Sequence, residues 1–302
     1  MNLPPYALVT PARNEAATLG ATIEAVLAQT HRPCRWVIVS DGSTDATDAI
    51  AQRYACDHPF LRYLRRDDSD RRDFSSKVHA IRAGLELLRD ESYAFIGNLD
   101  ADVTFEPHYF ERLLARFDEN PRLGVAGGVT YDYYDGAPHE RHASLDSVGG
   151  AVQLFRRECF EAIGGYVPLR IGSEDALALH TARYKGWETR SFRDLPVMHH
   201  RKTGTAGGSI WRTRFNQGVT QAQFGWGAGY VLLRGLYRSI EKPCVLGSLV
   251  RTAGFCWTRL RGSEYALPPE LVRFIRDEQR QKLRAILRPK AVAHRLRAGI
   301  NE

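Results

Sequence analysis

Tyr93-Ala94-Phe95-Ile96-Gly97-Asn98-Leu99-Asp100-Ala101-Asp102 is an apolar run, rich in aromatic and branched residues, that stops abruptly in two carboxylates. A short run of this kind reads as a buried central strand. In an extended chain, residues two apart point the same way, so Asp100 and Asp102 face one site. Two negative charges that close repel unless a cation is near. A hard divalent ion such as Mg²⁺ or Mn²⁺, which takes oxygen ligands and shares itself with substrate phosphates, answers that repulsion. A lone Asp-x-Asp is common in surface loops; its meaning depends on what else reaches the same sheet edge.

Two other strands bring loops there. Tyr6 to Val9 runs into Thr10-Pro11-Ala12-Arg13-Asn14-Glu15, and Trp36 to Val39 into Ser40-Asp41-Gly42-Ser43-Thr44-Asp45. Between the strands lie helical patterns: Leu19, Ile23, Val26 and Leu27 share a face within 16–29, a helix over 44–54 follows the Asp41-Gly42-Ser43 turn, and Val78, Ile81, Leu85 and Leu88 repeat within 77–88. This βαβα order predicts a parallel sheet covered by helices on both faces, with ligands beyond the carboxyl ends of the strands. Asp41 suits hydrogen bonds from a base or ribose, Gly42 permits the tight turn, and Ser43 or Thr44 is expected to cap the next helix. The first turn holds no GxGxxG and the chain no GxxxxGK[ST], which argues against dinucleotide-dependent oxidoreductases and P-loop enzymes.

Farther along, Gly172-Ser173-Glu174-Asp175 opens a helical stretch; helix capping alone accounts for such residues, because acids at an N-terminus meet unpaired N–H groups and the dipole. Leu195-Pro196-Val197-Met198-His199-His200-Arg201 reads as a strand with adjacent histidines on opposite faces. The glycines of 149–150 and 164–165 read equally as turns or as points of close backbone approach.

The 302 residues fit one large domain with an appendage or two modest ones. Cys34, Cys56, Cys159, Cys244 and Cys256 stand far apart without CxxC pairs, which speaks against a zinc cluster or a disulfide framework and for a reducing cytosol. Neither a cleaved signal nor an apolar run of membrane-spanning length is read in the chain. The net charge of +7 divides unevenly: residues 201–302 carry 19 Lys and Arg against 6 Asp and Glu, the rest 23 against 29. Past residue 205, Gly204, Gly207, Gly208, Gly218, Gly225, Gly227 and Gly229 are expected to loosen the chain, and strand alternation ends. We therefore expect domains at 1–205 and 206–302. In 230–261, apolar residues interleave with arginines, Arg234 and Arg238 four apart and Trp257 among basic neighbours, with a break at Pro243. Such helices suit the interface of an anionic membrane, and packing on the catalytic domain is the plainer alternative. Arg273, Arg276, Arg280, Lys282, Arg284, Arg288 and Lys290 read as a solvated basic face. No recognition motif supports nucleic acid as partner.

Taken in order, the motifs over residues 6–203 resemble family 2 glycosyltransferases of GT-A fold, which make bacterial polysaccharides and related glycans. That resemblance implies a Rossmann-like, mostly parallel central sheet with helices on both faces, followed here by a helical, basic C-terminal region. It also implies an inverting transfer of sugar from a nucleotide-sugar donor, UDP- or dTDP-linked, to a glycan or polyprenyl-linked acceptor, with Mn²⁺ or Mg²⁺ as cofactor. By resemblance, Pro11, Arg13, Glu15 and Asp41 hold the nucleotide and Lys77 approaches it. Asp100 contacts ribose or metal, Asp102 binds the metal directly, and His199 or His200 completes the metal site. Glu174 belongs to the donor site and Asp175 is the catalytic base. The implied place of work is the cytoplasm, peripheral on the inner face of the membrane.

Other readings are an inactive nucleotide-sugar-binding scaffold, a sugar nucleotidyltransferase, or a processive synthase. Asp175 has no purpose in a mere binder. A nucleotidyltransferase needs a Gly-rich basic loop after its first strand, and a processive synthase needs spanning helices and a Gln-x-x-Arg-Trp motif, of which Trp211-Arg212-Thr213-Arg214-Phe215-Asn216-Gln217 has related residues in another order.

Overall fold

A computed structural model describes residues 3–67, 75–134, 136–141, 144–169, 172–201, 209–237 and 244–287. The chain forms two compact units, Met1–Thr203 and Gly204–Glu302.

In chain order the first unit contains β1 (Tyr6–Ala12), α1 (Leu19–Leu27), β2 (Arg35–Asp41), α2 (Thr47–Asp57), β3 (Leu61–Arg66), α3 (Ser75–Glu86), β4 (Phe95–Leu99), β5 (Val103–Phe105), α4 (Tyr109–Glu119), β6 (Leu123–Tyr134), β7 (Ala137–Glu140), β8 (Val152–Arg156), α5 (Arg157–Ala162), α6 (Glu174–Tyr184) and β9 (Glu188–His199). The strands form one sheet in the order β3-β2-β1-β4-β8-β6-β9-β5, with β7 on β6. Its first half, β3-β2-β1-β4, is parallel. Beyond β4 the sheet is mixed: β8 runs antiparallel to β4 and β6, while β9 is parallel to β6 and antiparallel to β5.

Alternation along β1 sets up the layers. Tyr6 and Leu8 face a core with Ile23 of α1, Ala51 of α2, and Phe110, Leu113 and Phe117 of α4. Ala7 and Val9 face the other core, with Val78 and Ile81 of α3, Cys159 of α5 and Leu179 of α6. Because both faces are covered, the central strands are apolar throughout, as buried parallel strands must be. Their polar ends are left to one edge.

That edge is stitched across strands. Gly42 adopts the left-handed φ of 64° that the tight turn requires of it. Asn14, also left-handed at φ 55°, accepts a bond from the Thr44 backbone N–H at 2.8 Å through Oδ1. Its own backbone N–H donates to Ser43 Oγ. The expected cap is corrected here: Ser43 Oγ is engaged by Ser40 and Asn14, while Asp45 accepts from the N–H of Thr47 at the start of α2. Loop closure takes these hydroxyls because the neighbouring β1 loop lies within reach.

In the second unit, α7 (Ile210–Gln223), α8 (Ala228–Tyr237), α9 (Cys244–Leu260) and α10 (Pro269–Leu287) are described. Gly218 does not loosen the chain, contrary to expectation: it lies within α7 and, with Gly254 of α9, at a contact between the two helices. A Cβ on Gly218 would stand 1.9 Å from the Arg251 carbonyl oxygen, and one on Gly254 2.2 Å from that of Phe215. Both permit two helices to meet backbone to backbone. Arg276 of α10, expected on a solvated face, donates to the Gly225 carbonyl at 2.7 Å. Gly204, Gly207, Gly208, Arg238, Pro243, Arg288 and Lys290 lie outside the described residues. Among the described residues, no helix is long and apolar enough to cross a membrane.

Candidate active site

The parallel strands end together, so the loops after β1, β2 and β4 share one edge. Asp100 and Asp102 lie in the turn from β4 to β5 rather than on a straight continuation of the strand. The turn is anchored to the β8 side, where the Asp100 N–H donates to the Ala151 carbonyl at 2.9 Å and Asn98 Nδ2 to that of Gly150 at 2.8 Å.

Each carboxylate of the pair has its own cation. Lys77, at the start of α3, donates to Asp100 Oδ1 at 2.6 Å. Burial alone would lower the Lys77 pKa, but Asp100, Glu174 and Asp175 together hold the ammonium well above its usual value. Burial raises the Asp100 pKa, Lys77 opposes this, and the negative charge of Asp102 adds to it. Asp102 shifts downward: burial works against its charge, but the His199 bond and the charges of His199, Arg201 and Lys77 prevail. The repulsion read from the sequence is therefore answered in large part by the chain's own Lys77, Arg201 and His199.

His199 arrives on β9 between two partners. In the sheet register it stands beside Val103 of β5 on one side and Asp132 of β6 on the other. Its Nε2 is 3.4 Å from Asp102 Oδ2 and its Nδ1 3.0 Å from Asp132 Oδ1. Burial would lower its pKa, but the two carboxylates push it up to about 9. A carboxylate on one ring nitrogen with the other directed at an acidic site is the arrangement that orients metal-ligating histidines. His200 stands apart from this arrangement: its ring is exposed and lies 2.8 Å from Thr104 Oγ1, because successive side chains at the end of a strand turn to opposite sides.

Glu15 and Arg201 close this part of the site. Arg201 pairs with Glu15 through Nη2, and its Nε lies 3.6 Å from Asp102 Oδ2. Burial raises the Glu15 pKa against the pull of Arg201. At the neighbouring strand ends, Asp41 is buried and paired with Arg66 at 3.1 Å and Arg13 at 3.9 Å. Pro11 stands beside Val39 in the β1–β2 register.

Glu174 and Asp175 open α6 after two left-handed residues, Gly172 at φ 72° and Ser173 at φ 70°. A serine there is strained, which is more frequent at functional sites than elsewhere. Ser173 makes no side-chain cap; of the expected capping, what is present is the Ala176 N–H donating to Asp175 Oδ1 at 2.8 Å. Burial raises the Glu174 pKa, Lys77 opposes it and Asp175 adds to it. Asp175 packs on Gly150: a Cβ there would lie 2.6 Å from Asp175 Oδ2. Tyr166 is buried beside this acidic group and donates to Gln153 Oε1 at 2.6 Å; burial first, then Asp175, Glu174 and Asp100, keep its hydroxyl protonated.

The structure thus gathers Glu15, Lys77, Asp100, Asp102, Glu174, Asp175 and His199 through linked bonds and charges, with Pro11, Arg13 and Asp41 at the adjoining strand ends. It adds Asp132, Gly150 and Arg201. Arg201 follows the histidine pair directly and its charge was the available signal; Asp132 sits 67 residues before His199, and only the β6–β9 register joins them. Among the described residues, no three His, Cys, Asp or Glu side chains make a metal-holding group. A divalent cation nevertheless fits the Asp102–His199 pair, since Mg²⁺ and Mn²⁺ sites of this kind draw their remaining ligands from substrate phosphates and water.

The model for glycosyl transferase family 2 matches residues 7–177, a span that ends just past Glu174 and Asp175. The chain belongs to that family. It is 30% identical over 214 residues to the succinoglycan biosynthesis protein ExoA of Rhizobium meliloti, covering 60% of each chain. To the glucosyl-dolichyl phosphate glucuronosyltransferase of Haloferax volcanii it is 27% identical over 164 residues, 48% of this chain and 50% of that one. The match thus spans about half to three fifths of these relatives' own length. Among solved structures, the mannosyltransferase PcManGT of Pyrobaculum calidifontis, in complex with GDP-Man and Mn²⁺, superposes with a TM-score of 0.58 at 17% identity. That superposition covers 99% of this chain and 85% of the other. The likeness extends to the TarS protein of S. aureus in complex with UDP-GlcNAc, with a TM-score of 0.52 at 13% identity over 70% of this chain and 66% of that one. The fold is GT-A.

Proposed function

We propose that this protein is an inverting, metal-dependent glycosyltransferase of cell-surface polysaccharide synthesis. It moves a sugar from a UDP- or dTDP-linked donor to a hydroxyl of a glycan or polyprenyl-linked acceptor. The observation that carries the reading is the placement of Asp175, held on Gly150 beside the Lys77–Asp100 pair at the sheet edge. Relatives that make succinoglycan and act on a dolichyl phosphate sugar support the acceptor class, and neighbours in complex with GDP-Man and Mn²⁺ or with UDP-GlcNAc support the donor and cation.

In this reading, Pro11, Arg13, Glu15 and Asp41 surround the nucleoside. Asp100, kept in place by Lys77, meets the ribose or shares in the cation site. Asp102 and His199 hold Mn²⁺ or Mg²⁺, which when bound stabilises the charge of the departing diphosphate. Arg201 adds a guanidinium on the same side. A sugar hydroxyl is a poor nucleophile, so Asp175 takes its proton as the bond to the anomeric carbon forms. The centre between them is oxocarbenium-like. Attack from the face opposite the leaving group inverts the configuration. The work is done in the cytoplasm, with the basic second unit on an anionic membrane surface that presents lipid-linked acceptor.

Calorimetric titration with UDP-, dTDP- and GDP-sugars tests the donor assignment: one of the first two should bind with Mn²⁺ and bind at least tenfold more weakly with EDTA. Cation-independent binding of every donor would contradict it.

Two neighbours of the site should be sensitive. Gly150→Ala places a methyl 2.6 Å from the present position of Asp175 Oδ2, so the carboxylate must move; a shift of about 1 Å in a reacting group costs about 100-fold in rate, so turnover should fall by that order with donor affinity kept. Asp132→Asn weakens the hold on His199 Nδ1. Cation affinity measured by Mn²⁺ titration should fall about 10- to 100-fold, and an unchanged affinity would leave Asp132 a structural residue.

A further inference from the structure

The helices α8 and α9 turn most of their large apolar residues outward. On α9, the outward residues are Val245, Leu246, Leu249, Ala253, Cys256, Trp257 and Leu260, a stripe at helical spacing along the whole element. The inward residues are Gly247, Ser248, Arg251, Gly254, Phe255 and Thr258, so apart from Phe255 the inner side is small or polar while most of the larger apolar residues lie outside. Leu249 is 58% exposed and Leu260 87%. On α8, Leu232, Leu233, Leu236 and Tyr237 are likewise exposed, while Val231 is buried.

A soluble protein has no use for such a face, since contiguous exposed apolar surface favours association. Helices in lipid do have a use for it: the acyl chains receive the large apolar side chains, and small residues let the helix backbones approach. The packing of α7 against α9 through Gly218 and Gly254 is of that close kind. The charges around the face also suit a leaflet. The Arg261 guanidinium lies 4.1 Å from the Trp257 ring centroid at the end of α9, an aromatic and a cation together where headgroup meets acyl chain. Arg259 is exposed beside them, and residues 201–302 carry 19 Lys and Arg against 6 acids.

We propose that the outward faces of α8 and α9 insert among the acyl chains of one membrane leaflet, with the helices lying in the plane of the interface. At 17 residues, α9 is about 25 Å long, and its stripe runs from end to end, as in helices that lie on a bilayer rather than cross it. This deepens the membrane part of the function proposed above: apolar burial, and not only attraction of arginines to anionic headgroups, supplies the attachment. It does not depend on the chemistry of transfer.

The test uses the full chain with vesicles of phosphatidylcholine, alone or mixed with phosphatidylglycerol, some carrying acyl chains brominated near the headgroup. Tryptophan emission should be quenched on binding to brominated vesicles, and Trp257→Phe should remove most of that quenching. Leu246→Asp with Leu249→Asp should lower vesicle affinity at least tenfold in both lipid mixtures while nucleotide-sugar binding stays unchanged, which shows that the first unit is still folded. Unquenched Trp257, or unaltered vesicle affinity of the double variant, overturns the proposal. So does binding that requires phosphatidylglycerol and disappears in high salt, which would assign attachment to charge alone. A chain that dimerises without lipid, becomes monomeric on Leu249→Asp and shows no quenching would assign the face to a second copy. Failure of glycosyl transfer with normal quenching would count against the catalytic reading only.

Discussion

Asp175→Asn should bind the nucleotide sugar as the unaltered protein does and transfer it about 100- to 10,000-fold more slowly, the range over which a positioned general base acts. The substitution keeps the shape of the side chain, so the packing on Gly150 survives. The hydrogen bond that Asp175 Oδ1 accepts from the Ala176 N–H at 2.8 Å can be kept by the amide oxygen. What is lost is the capacity to take a proton. Transfer at the original rate would remove Asp175 from the base role, and Glu174 would be the next candidate.

Asp102→Ala should act at the opposite end of the site. It removes the carboxylate that faces both His199 Nε2 and Arg201 Nε, so cation-dependent strengthening of donor binding should vanish, a loss of about 100-fold or more in a site with so few protein ligands. The buried His199 then keeps only Asp132 as carboxylate partner, and a fall in stability is expected because removing one member of a buried pair leaves the other uncompensated. Asp102→Asn separates the two effects, since it retains the shape and much of the hydrogen bonding. A folded Asp102→Asn protein that still binds donor more tightly with Mn²⁺ would place the cation elsewhere. Donor binding without added metal should be nearly the same in all three proteins.

Much of this site is legible in the chain because local rules carry it. An apolar run that stops in polar residues marks a strand end, and three such ends in βαβ order share an edge; the loops with Glu15, Asp41 and Asp102 follow from that alone. Three features escape it. The strands β6, β8 and β9 are antiparallel or mixed, and their pairing joins residues far apart in sequence, so no local spacing announces Asp132 beside His199. The Asp100–Asp102 pair asks for positive charge, but the chain also supplies it through Lys77, Arg201 and His199, and repulsion between two carboxylates does not say which cation resolves it. Glycines are ambiguous one at a time: Gly218 reads as a break in the chain and is a point of close helix approach, while Gly150 reads equally as a turn or a close approach and packs against the Asp175 carboxylate. Alternation sends His199 and His200 to opposite sides, but which neighbour stands on each side, Asp102 or Thr104, comes only from the folded register.

The central claim is that cation, donor and base act together in transfer. The most direct test incubates the protein with UDP- and dTDP-sugars and Mn²⁺, with and without polyprenyl-linked acceptor, and follows release of nucleoside diphosphate. The account predicts release from one donor that rises with acceptor, stops with EDTA and is lost in Asp175→Asn. Release that is indifferent to EDTA and to Asp175, or donor binding with no release under any acceptor, would contradict it.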